Sequence, residues 1–168
     1  MIIPSREAAD AWCGVRTTLY QRIAGILAPV IYAGVFLLIA LRWRTLPEQV
    51  PTHYDFAGNV NGWGSRWTLV IMPAIGLLAD LAIAVSLRFP RTWNAGVKIT
   101  VFNRARVYKL LRDLMADLRL SCALLFAYIS VRLALLPETL PGWTMTVPIL
   151  VLVGIPVLRY FLRLYVFK

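Results

Sequence analysis

Four long apolar runs separated by polar segments dominate the pattern of this chain. They cover Ile23–Leu41, Trp67–Leu87, Leu118–Leu136 and Trp143–Phe167. No charged residue interrupts the first run. At about 1.5 Å per residue, a helix of its length comes close to the roughly 30 Å of a bilayer's hydrocarbon core. Such uniform runs lack the alternation of a membrane barrel. The pattern therefore predicts an all-α membrane protein with four transmembrane helices.

Composition agrees with lipid as the main solvent. Of the 168 residues, 60% are hydrophobic and 15% are charged, and the mean hydropathy is +0.69. Soluble domains carry more charge, about 25%. The first apolar run begins at Ile23, too late for an ordinary signal peptide, and no small-residue cleavage site follows it. We expect it to be a retained anchor.

The distribution of Lys and Arg predicts how the chain threads through the membrane. Eight of them lie between the second and third runs or at the start of the third, whereas residues 137–142 contain none. Positive charge is retained on the cytoplasmic side. We therefore expect both termini in the cytoplasm and the loop at 44–67 outside. The predicted units are an N-terminal segment 1–22, a first hairpin 23–87, a basic loop 88–117 and a second hairpin 118–168.

The net charge of +10 suggests either nucleic acid or a membrane surface as partner. The charge flanks membrane spans and no nucleic-acid motif accompanies it, so we expect no nucleic acid. Residues 103–118 show the apolar stripe of a basic amphipathic helix, which lies on the inner leaflet or extends the third span. A weaker interfacial helix is predicted over Ser5–Tyr20. The residues expected to contact anionic lipid headgroups are Arg104, Arg106, Lys109 and Arg112.

Two short stretches resemble each other, Leu46–Pro51 and Leu136–Pro141. Each has an arginine four residues earlier and is followed by a Gly-Trp pair. One interpretation is a parallel repeat of two helical hairpins. The other is the general preference of Pro, Gly and Trp for the outer ends of membrane helices. Both stay open.

The segment between the first two runs reads LPEQVPTHYDFAGNVNGWGSRW over residues 46–67. It is too rich in turn formers for a helix. Pro47 and Pro51 favour extended geometry in the residues before them. Gly58 and Gly64 supply positions for tight turns. We expect a compact loop that caps the membrane domain, with tryptophans at headgroup depth.

The motif in this loop resembles the N-terminal membrane domain, itself of unknown function, of the SdpI-like immunity protein family. The residues that carry the resemblance are Leu46, Pro47, Pro51, Thr52, His53, Tyr54, Asp55, Gly58, Asn61, Trp63, Gly64 and Ser65. The chain departs from the family in two ways: Asp55 stands where Asn is commoner, and the further helices of full-length immunity proteins are missing. The resemblance implies a bacterial plasma membrane and protection against a peptide toxin.

His53 and Asp55 are two residues apart, so in an extended segment their side chains point the same way. Together they could bind a cation, sense pH or shuttle protons. Alternatively, His53 bonds loop carbonyls and Asp55 caps a turn. Two ligands do not make a metal site, and no nucleophile, base and orienting group come together. We expect no metal, no cofactor and no catalysis.

Charged residues inside the runs should be paired, because an isolated charge in lipid is costly. Asp80 lies in the second half of the second run, and Arg159 lies in the second half of the fourth. Counted from Trp67 and from Met145, both depths are roughly 20 Å at about 1.5 Å per residue. We predict that Asp80 pairs with Arg159, or with Arg163 one turn further. Such a pair either locks the bundle or forms part of an ion path.

Two functions follow as hypotheses. In the first, the loop recognises or protects against an extracytoplasmic peptide or toxin. In the second, the chain is a small accessory subunit of a larger transport, respiratory or envelope complex. An ion carrier has less support, since few charges lie within the spans.

Overall fold

The structure is a computed structural model that describes residues 6–55, 57–136, 139 and 141–165. At Arg6, Ala8 and Met145 it describes the backbone only. The helices and strands are α1 (Arg6–Cys13), α2 (Leu19–Arg42), β1 (Gln49–Tyr54), β2 (Val60–Ser65), α3 (Thr68–Ser86), α4 (Arg104–Ala134), α5 (Trp143–Ile149) and α6 (Ile155–Tyr165). A 3₁₀ turn, Pro90–Thr92, lies between α3 and α4, and a π-helical turn, Leu150–Gly154, joins α5 to α6.

In the part of the chain that the structure describes, four helices are long and apolar enough to span a membrane: α2, α3, α4 and the stretch Thr146–Tyr165. This confirms the prediction of a mostly helical chain with four candidate spans, as in a multi-pass membrane protein. The direction of threading stays a prediction. Phe167, at the end of the fourth predicted run, lies outside the described residues.

The basic segment and the third span form one continuous helix. Helix α4 has 31 residues, which at 1.5 Å per residue gives about 46 Å. The segment thus extends the third span, one of the two arrangements expected. The unit boundary predicted between residues 117 and 118 falls inside this helix. Helix α1 is shorter than the predicted interfacial helix, since it ends at Cys13 and a new helix begins at Leu19.

Helix α2 begins where Thr18 provides a capping box. The Thr18 hydroxyl accepts from the Gln21 backbone N–H at 3.3 Å, and the Gln21 side chain accepts from the Thr18 N–H at 3.1 Å. Buried residues then recur every three to four positions, and the opposite face is apolar but exposed. The buried residues are Ala24, Ala28, Tyr32, Val35 and Ile39, and the exposed ones include Ile23, Ile26, Val30 and Leu37. An apolar outer face suits lipid.

Helices α2, α3 and α4 pack together as the central bundle. They meet closely at Gly76 of α3, where an added Cβ would lie 2.7 Å from ring atoms of both Tyr32 and Phe126. No side chain fits there, so glycine lets the three helices meet. The fourth span packs mainly along α4, and Tyr160 is the buried residue of α6.

The two ends of the bundle differ in structure. At one end, named the hairpin end, β1 and β2 form an antiparallel pair between α2 and α3. At the other, named the basic end, α1, the α3–α4 connection, the start of α4 and the end of α6 meet. Their shared apolar cluster consists of Cys13, Ala95, Val107, Tyr108, Leu111 and Tyr160. The strands are an addition to the all-α class that we expected.

Candidate functional site

The β-hairpin is seated on the helices by apolar side chains. Leu46 and Val50 are buried against Val35, Ile39 and Leu69 from α2 and α3. Arg66 completes the seat, because its guanidinium donates to the Leu46 carbonyl at 3.3 Å. The hairpin is therefore a fixed cap on the bundle, as the composition of the segment predicts.

Two glycines of β2 allow the strands to pair closely. An added Cβ at Gly62 would lie 2.8 Å from the His53 Cβ, and one at Gly64 would lie 2.9 Å from the Thr52 Cγ2. Side chains at these positions would push β2 away from β1. This contact explains why the motif needs glycine at Gly64, although the sequence alone suggested a turn. The register is irregular on both sides of His53.

His53 and Asp55 have separate partners within the hairpin. The His53 Nδ1–H donates to the side-chain oxygen of Asn61. Asp55 closes the turn: its carboxylate accepts from the Asn59 backbone N–H at 2.9 Å, and its carbonyl accepts from the Gly58 N–H at 3.0 Å. Gly58 has φ +92°, which favours glycine. The backbone N–H of Asn59 is the main cause that holds the pKa of Asp55 below its usual range.

Some of the motif residues are buried or half-buried, and others are exposed. Pro51 and Gly58 are buried, and Tyr54 is half-buried. Burial raises the pKa of Tyr54, although the positive charge of Arg132 opposes the rise. The tip of the hairpin reaches the α4–α5 connection through a bridge between Asn59 and Thr139. The exposed motif residues are Pro47, Thr52, His53, Asn61, Trp63 and Ser65.

One face of β2 presents a row of exposed side chains. Asn61, Trp63 and Ser65 are exposed, and they alternate with the less exposed Val60, Gly62 and Gly64. Trp63 is 62% exposed. A preformed strand with an aromatic side chain beside polar groups is a surface suited to binding a peptide. We did not predict these strands; the signal that could have found them is two six-residue segments with β-branched and aromatic residues on the two sides of a turn.

A second polar site lies between the central helices. Its ion pair differs from the predicted one. Asp80 is 1% exposed and pairs with Arg119 of α4, with Nε to Oδ1 at 2.6 Å and Nη2 to Oδ2 at 2.9 Å. Arg119 also donates to the Gly25 carbonyl at 3.3 Å, so the pair joins α2, α3 and α4. An added Cβ at Gly25 would lie 3.1 Å from the Arg119 Nη1.

The predicted pairing of Asp80 with Arg159 or Arg163 is therefore wrong. Arg159 instead bonds to Asp117 of α4, which also accepts from the Tyr20 hydroxyl. The physical reason is direction around the bundle. Depth alone matched Asp80 to the fourth span, but α3 packs against α4 and α2, whereas the fourth span lies along α4.

Helix α4 carries the other charged contacts of the basic end. Arg112 is 4% exposed and donates to Asp10 at 2.5 Å and to the Val15 carbonyl at 3.1 Å. Asp113 accepts from Lys109 at 2.8 Å and from Gln21 at 2.7 Å.

The α4 residues that we expected to contact lipid headgroups thus differ in exposure. Arg112 is buried rather than on that surface, because Asp10 of α1 covers it. Arg104 stacks over the Trp12 ring, 4.6 Å from its centroid. Arg106 and Lys109 are exposed. Among the residues that the structure describes, no three His, Cys, Asp or Glu side chains gather in one place.

The fold and the site define a multi-pass helical membrane protein capped by a β-hairpin. Residues 30–77 match a family described as "Domain of unknown function (DUF1648)". This stretch contains about half of α2, the whole hairpin and about half of α3.

A relative in the archaeon Archaeoglobus fulgidus, described as an uncharacterized protein, is 37% identical over 62 residues. The match covers 36% of this chain and 34% of the relative, so the chain spans about a third of that relative's length. No solved structure matches the chain.

Proposed function

We propose that this protein is a non-catalytic membrane protein that binds a peptide outside the cytoplasm through the exposed face of its hairpin. An immunity protein resembling the SdpI-like family would act in this way at a bacterial plasma membrane. The observation that carries the proposal is the indole of Trp63, exposed on a hairpin that is already fixed to the bundle. Binding such a surface needs little ordering of the protein.

The neighbours of Trp63 support a peptide as the ligand. Asn61 and His53 lie on the same hairpin and are joined by a hydrogen bond, which leaves polar groups beside the aromatic ring. In a two-stranded sheet each strand has one edge without a partner strand, and an extended peptide binds such edges through its backbone. The charge asymmetry that predicts threading would place this face outside, where a secreted peptide arrives.

The proposal is tested by toxin challenge of cells that lack the gene. We expect the deletion to sensitise cells to a specific membrane-active peptide and the wild-type gene to restore protection. Trp63→Ala should weaken peptide binding about thirtyfold, as loss of an interface hot spot of about 2 kcal/mol does. Binding is measured with labelled peptide and purified protein in nanodiscs.

The matched control is Trp67→Ala. Trp67 is 64% exposed, close to the value for Trp63, but its ring packs at a tilt against that of Trp43, with centroids 4.6 Å apart. If Trp67 only anchors the hairpin at the membrane surface, its loss leaves peptide binding near the wild-type value. Equal binding by the Trp63→Ala variant and the wild type would refute the proposed surface.

A second candidate function, an accessory subunit of a larger membrane complex, is favoured by the fourth span. Within the most apolar 18-residue window of the span Thr146–Tyr165, 6% of the residues are buried, against 22–33% for the corresponding windows of the other spans. A partner helix packed on this face would cover it. Co-purification of a stoichiometric partner in mild detergent tests this candidate, and loss of that partner with Leu158→Lys would support it.

We also propose that the exposed basic residues Arg106 and Lys109 contact anionic headgroups. Each cation near an anionic surface contributes about 1 kcal/mol to such attraction. Binding of the protein's basic end to vesicles should then weaken as salt is raised.

A further inference from the structure

The register of the hairpin shows which backbone groups of β2 face away from β1. In an antiparallel pair, alternate residues bond to the partner strand, and the residues between them direct N–H and C=O to the outer edge. The N–H of Arg66, directly after β2, donates to the Glu48 carbonyl at 3.0 Å, and the register stays regular as far as Trp63. Arg66 and Gly64 therefore face β1. Trp63 and Ser65 direct their backbone groups to the outer edge of β2.

The outer edge of β1 is poorly suited to a further strand. Gln49 and Pro51 lie directly opposite Ser65 and Trp63, so their backbone groups face the outer edge of β1. Pro51 has no N–H, and the edge therefore lacks a donor at this position. Strand β1 also packs against α4. An edge proline and a covering helix are two ways in which proteins prevent strand addition.

The outer edge of β2 has neither protection. Its six residues include no proline and no charged residue. Among the residues that the structure describes, none outside the hairpin bonds to the backbone of Trp63. The Ser65 carbonyl accepts from the Thr68 hydroxyl at 2.8 Å, so Ser65 contributes its N–H alone. Trp63 is 62% exposed, which leaves space beside the strand.

The chemistry of this edge matches an extended polypeptide backbone. Its outward groups recur at every second residue, about 7 Å apart, and an extended peptide presents donors and acceptors at the same spacing. The chain itself already pairs with the hairpin in this way, since Thr139 forms an antiparallel bridge with Asn59, the residue before β2. Beyond that bridge, residues 61–65 remain open, enough for about five residues of a peptide strand.

We propose that the peptide ligand binds as a third strand along the outer edge of β2, with the backbone of Trp63 and the N–H of Ser65 as its partners. The indole of Trp63 then covers an apolar side chain of the peptide. This inference rests on the proposed function and names the class of ligand: a linear segment in an extended conformation. A helical peptide uses its own N–H and C=O groups internally, so it must unfold locally to bind.

The test uses the full chain in nanodiscs. The probe is the tightest-binding peptide selected on it from a random library of linear decapeptides. With about 90% of the protein occupied, an amide that exchanges only in the free protein slows about tenfold. We expect this for the amides of Trp63 and Ser65, measured by NMR, and an unchanged rate for Gln49. N-methylation of alternate peptide residues should weaken binding about two- to tenfold, and N-methylation of the residues between them should not.

Two matched variants test the choice of edge. Ser65→Pro and Gln49→Pro change residues that lie directly opposite each other, and each removes an outward N–H without breaking a bond between the strands. Ser65→Pro should weaken peptide binding about two- to tenfold, and Gln49→Pro should leave it unchanged. If Ser65→Pro folds poorly, amide exchange in the wild type and the N-methylated peptides still decide.

The outcomes separate this inference from the proposed function. If Trp63→Ala weakens binding but the amides of Trp63 and Ser65 exchange as in the free protein, the peptide-binding surface stands and strand addition is overturned. Protection of Gln49 in place of Ser65 overturns it as well. If no peptide is selected, or if Trp63→Ala binds like the wild type, both the inference and the proposed function fail.

Discussion

The hairpin end and the basic end are held together by different interactions. At the hairpin end, the side-chain hydrogen bonds join residues close in sequence: Asp55 to Asn59, His53 to Asn61, and Arg66 to Leu46, which is 20 residues away. One backbone bridge, Asn59 to Thr139, also reaches the α4–α5 connection. At the basic end, Arg112 reaches Asp10 across 102 residues, and Gln21 reaches Asp113 across 92. The first end is a local structure placed on the bundle. The second exists only when the helices have assembled.

The largest expected effect is at the buried pair between the ends. Asp80→Ala leaves Arg119, whose side chain is 9% exposed, buried without its carboxylate. Removing one partner of a buried pair costs about 3–5 kcal/mol. We expect the free energy of unfolding, measured in mixed micelles with a denaturing detergent, to fall by that amount.

The control for this experiment is the double variant in which Asp80 and Arg119 both become Leu. Replacing a whole buried pair with apolar side chains is often neutral or stabilising. If the double variant is as unstable as Asp80→Ala, the cost lies in altered packing and not in an unpaired charge.

The next largest effect is expected where α2, α3 and α4 meet, midway between the two ends. Gly76→Ala places a Cβ 2.7 Å from the rings of Tyr32 and Phe126, and such overpacking costs about 1–3 kcal/mol. Gly34→Ala is the matched control in α2, because nothing lies within 4 Å of its added Cβ. Alanine there should stabilise the helix by about 0.5–1 kcal/mol. Opposite signs in the two unfolding measurements are expected, and equal signs would contradict the close crossing.

The contrast between the ends also explains what the sequence could predict. Apolar runs define spans because lipid demands them locally, and the motif around His53 identifies a compact cap because its turn formers act on adjacent residues. The strands escaped prediction because Gly62 and Gly64 weaken strand propensity. The reason for glycine at these two positions appears only when β1 is packed against them.

The partners of buried charges could not be derived from depth. Asp80 and Arg159 match in distance from the outer boundary, but pairing also needs the direction that each residue faces around its helix and the order of helices in the bundle. For the same reason, the sequence did not reveal that charged residues of α4 bond to the surrounding elements. Arg112, Asp117 and Arg119 all lie on α4, yet each of them bonds to a different neighbouring element.

A smaller effect should appear when the seat of the hairpin is weakened. Val50→Ala removes two buried carbon atoms from a side chain that is 0% exposed, which costs about 1.6 kcal/mol at 0.8 per buried carbon. Hydrogen exchange should then quicken in the hairpin amides, while those of α1 and of the start of α4 stay unchanged. Equal loss of protection at both ends would show that the cap is not a local structure.

The smallest effect compares one carboxylate at each end during acidification. Hydrogen bonds from Asn59 lower the pKa of Asp55. Burial raises the pKa of Asp10, but bonds from Thr17 and Arg112 outweigh it, so that pKa is lowered too. The ordinary value is 3.8 for both. A lowered folded-state pKa means that each group's stabilisation is complete above the ordinary value and is lost as pH falls through the folded pKa.

The consequences of protonation should differ between the ends. Protonated Asp55 loosens a single turn. Protonated Asp10 weakens its bond to Arg112, which keeps its bond to the Val15 carbonyl, and so loosens the docking of α1 onto α4. Backbone amide shifts of Asn59 and Thr17, followed by NMR from pH 6 downward, report the two groups separately. Asp55→Asn should abolish the first titration and leave the second. If the amide shift of Thr17 instead follows the titration of Asp55, the two ends are coupled. The hairpin end is then not a local structure, and the contrast between the two ends is wrong.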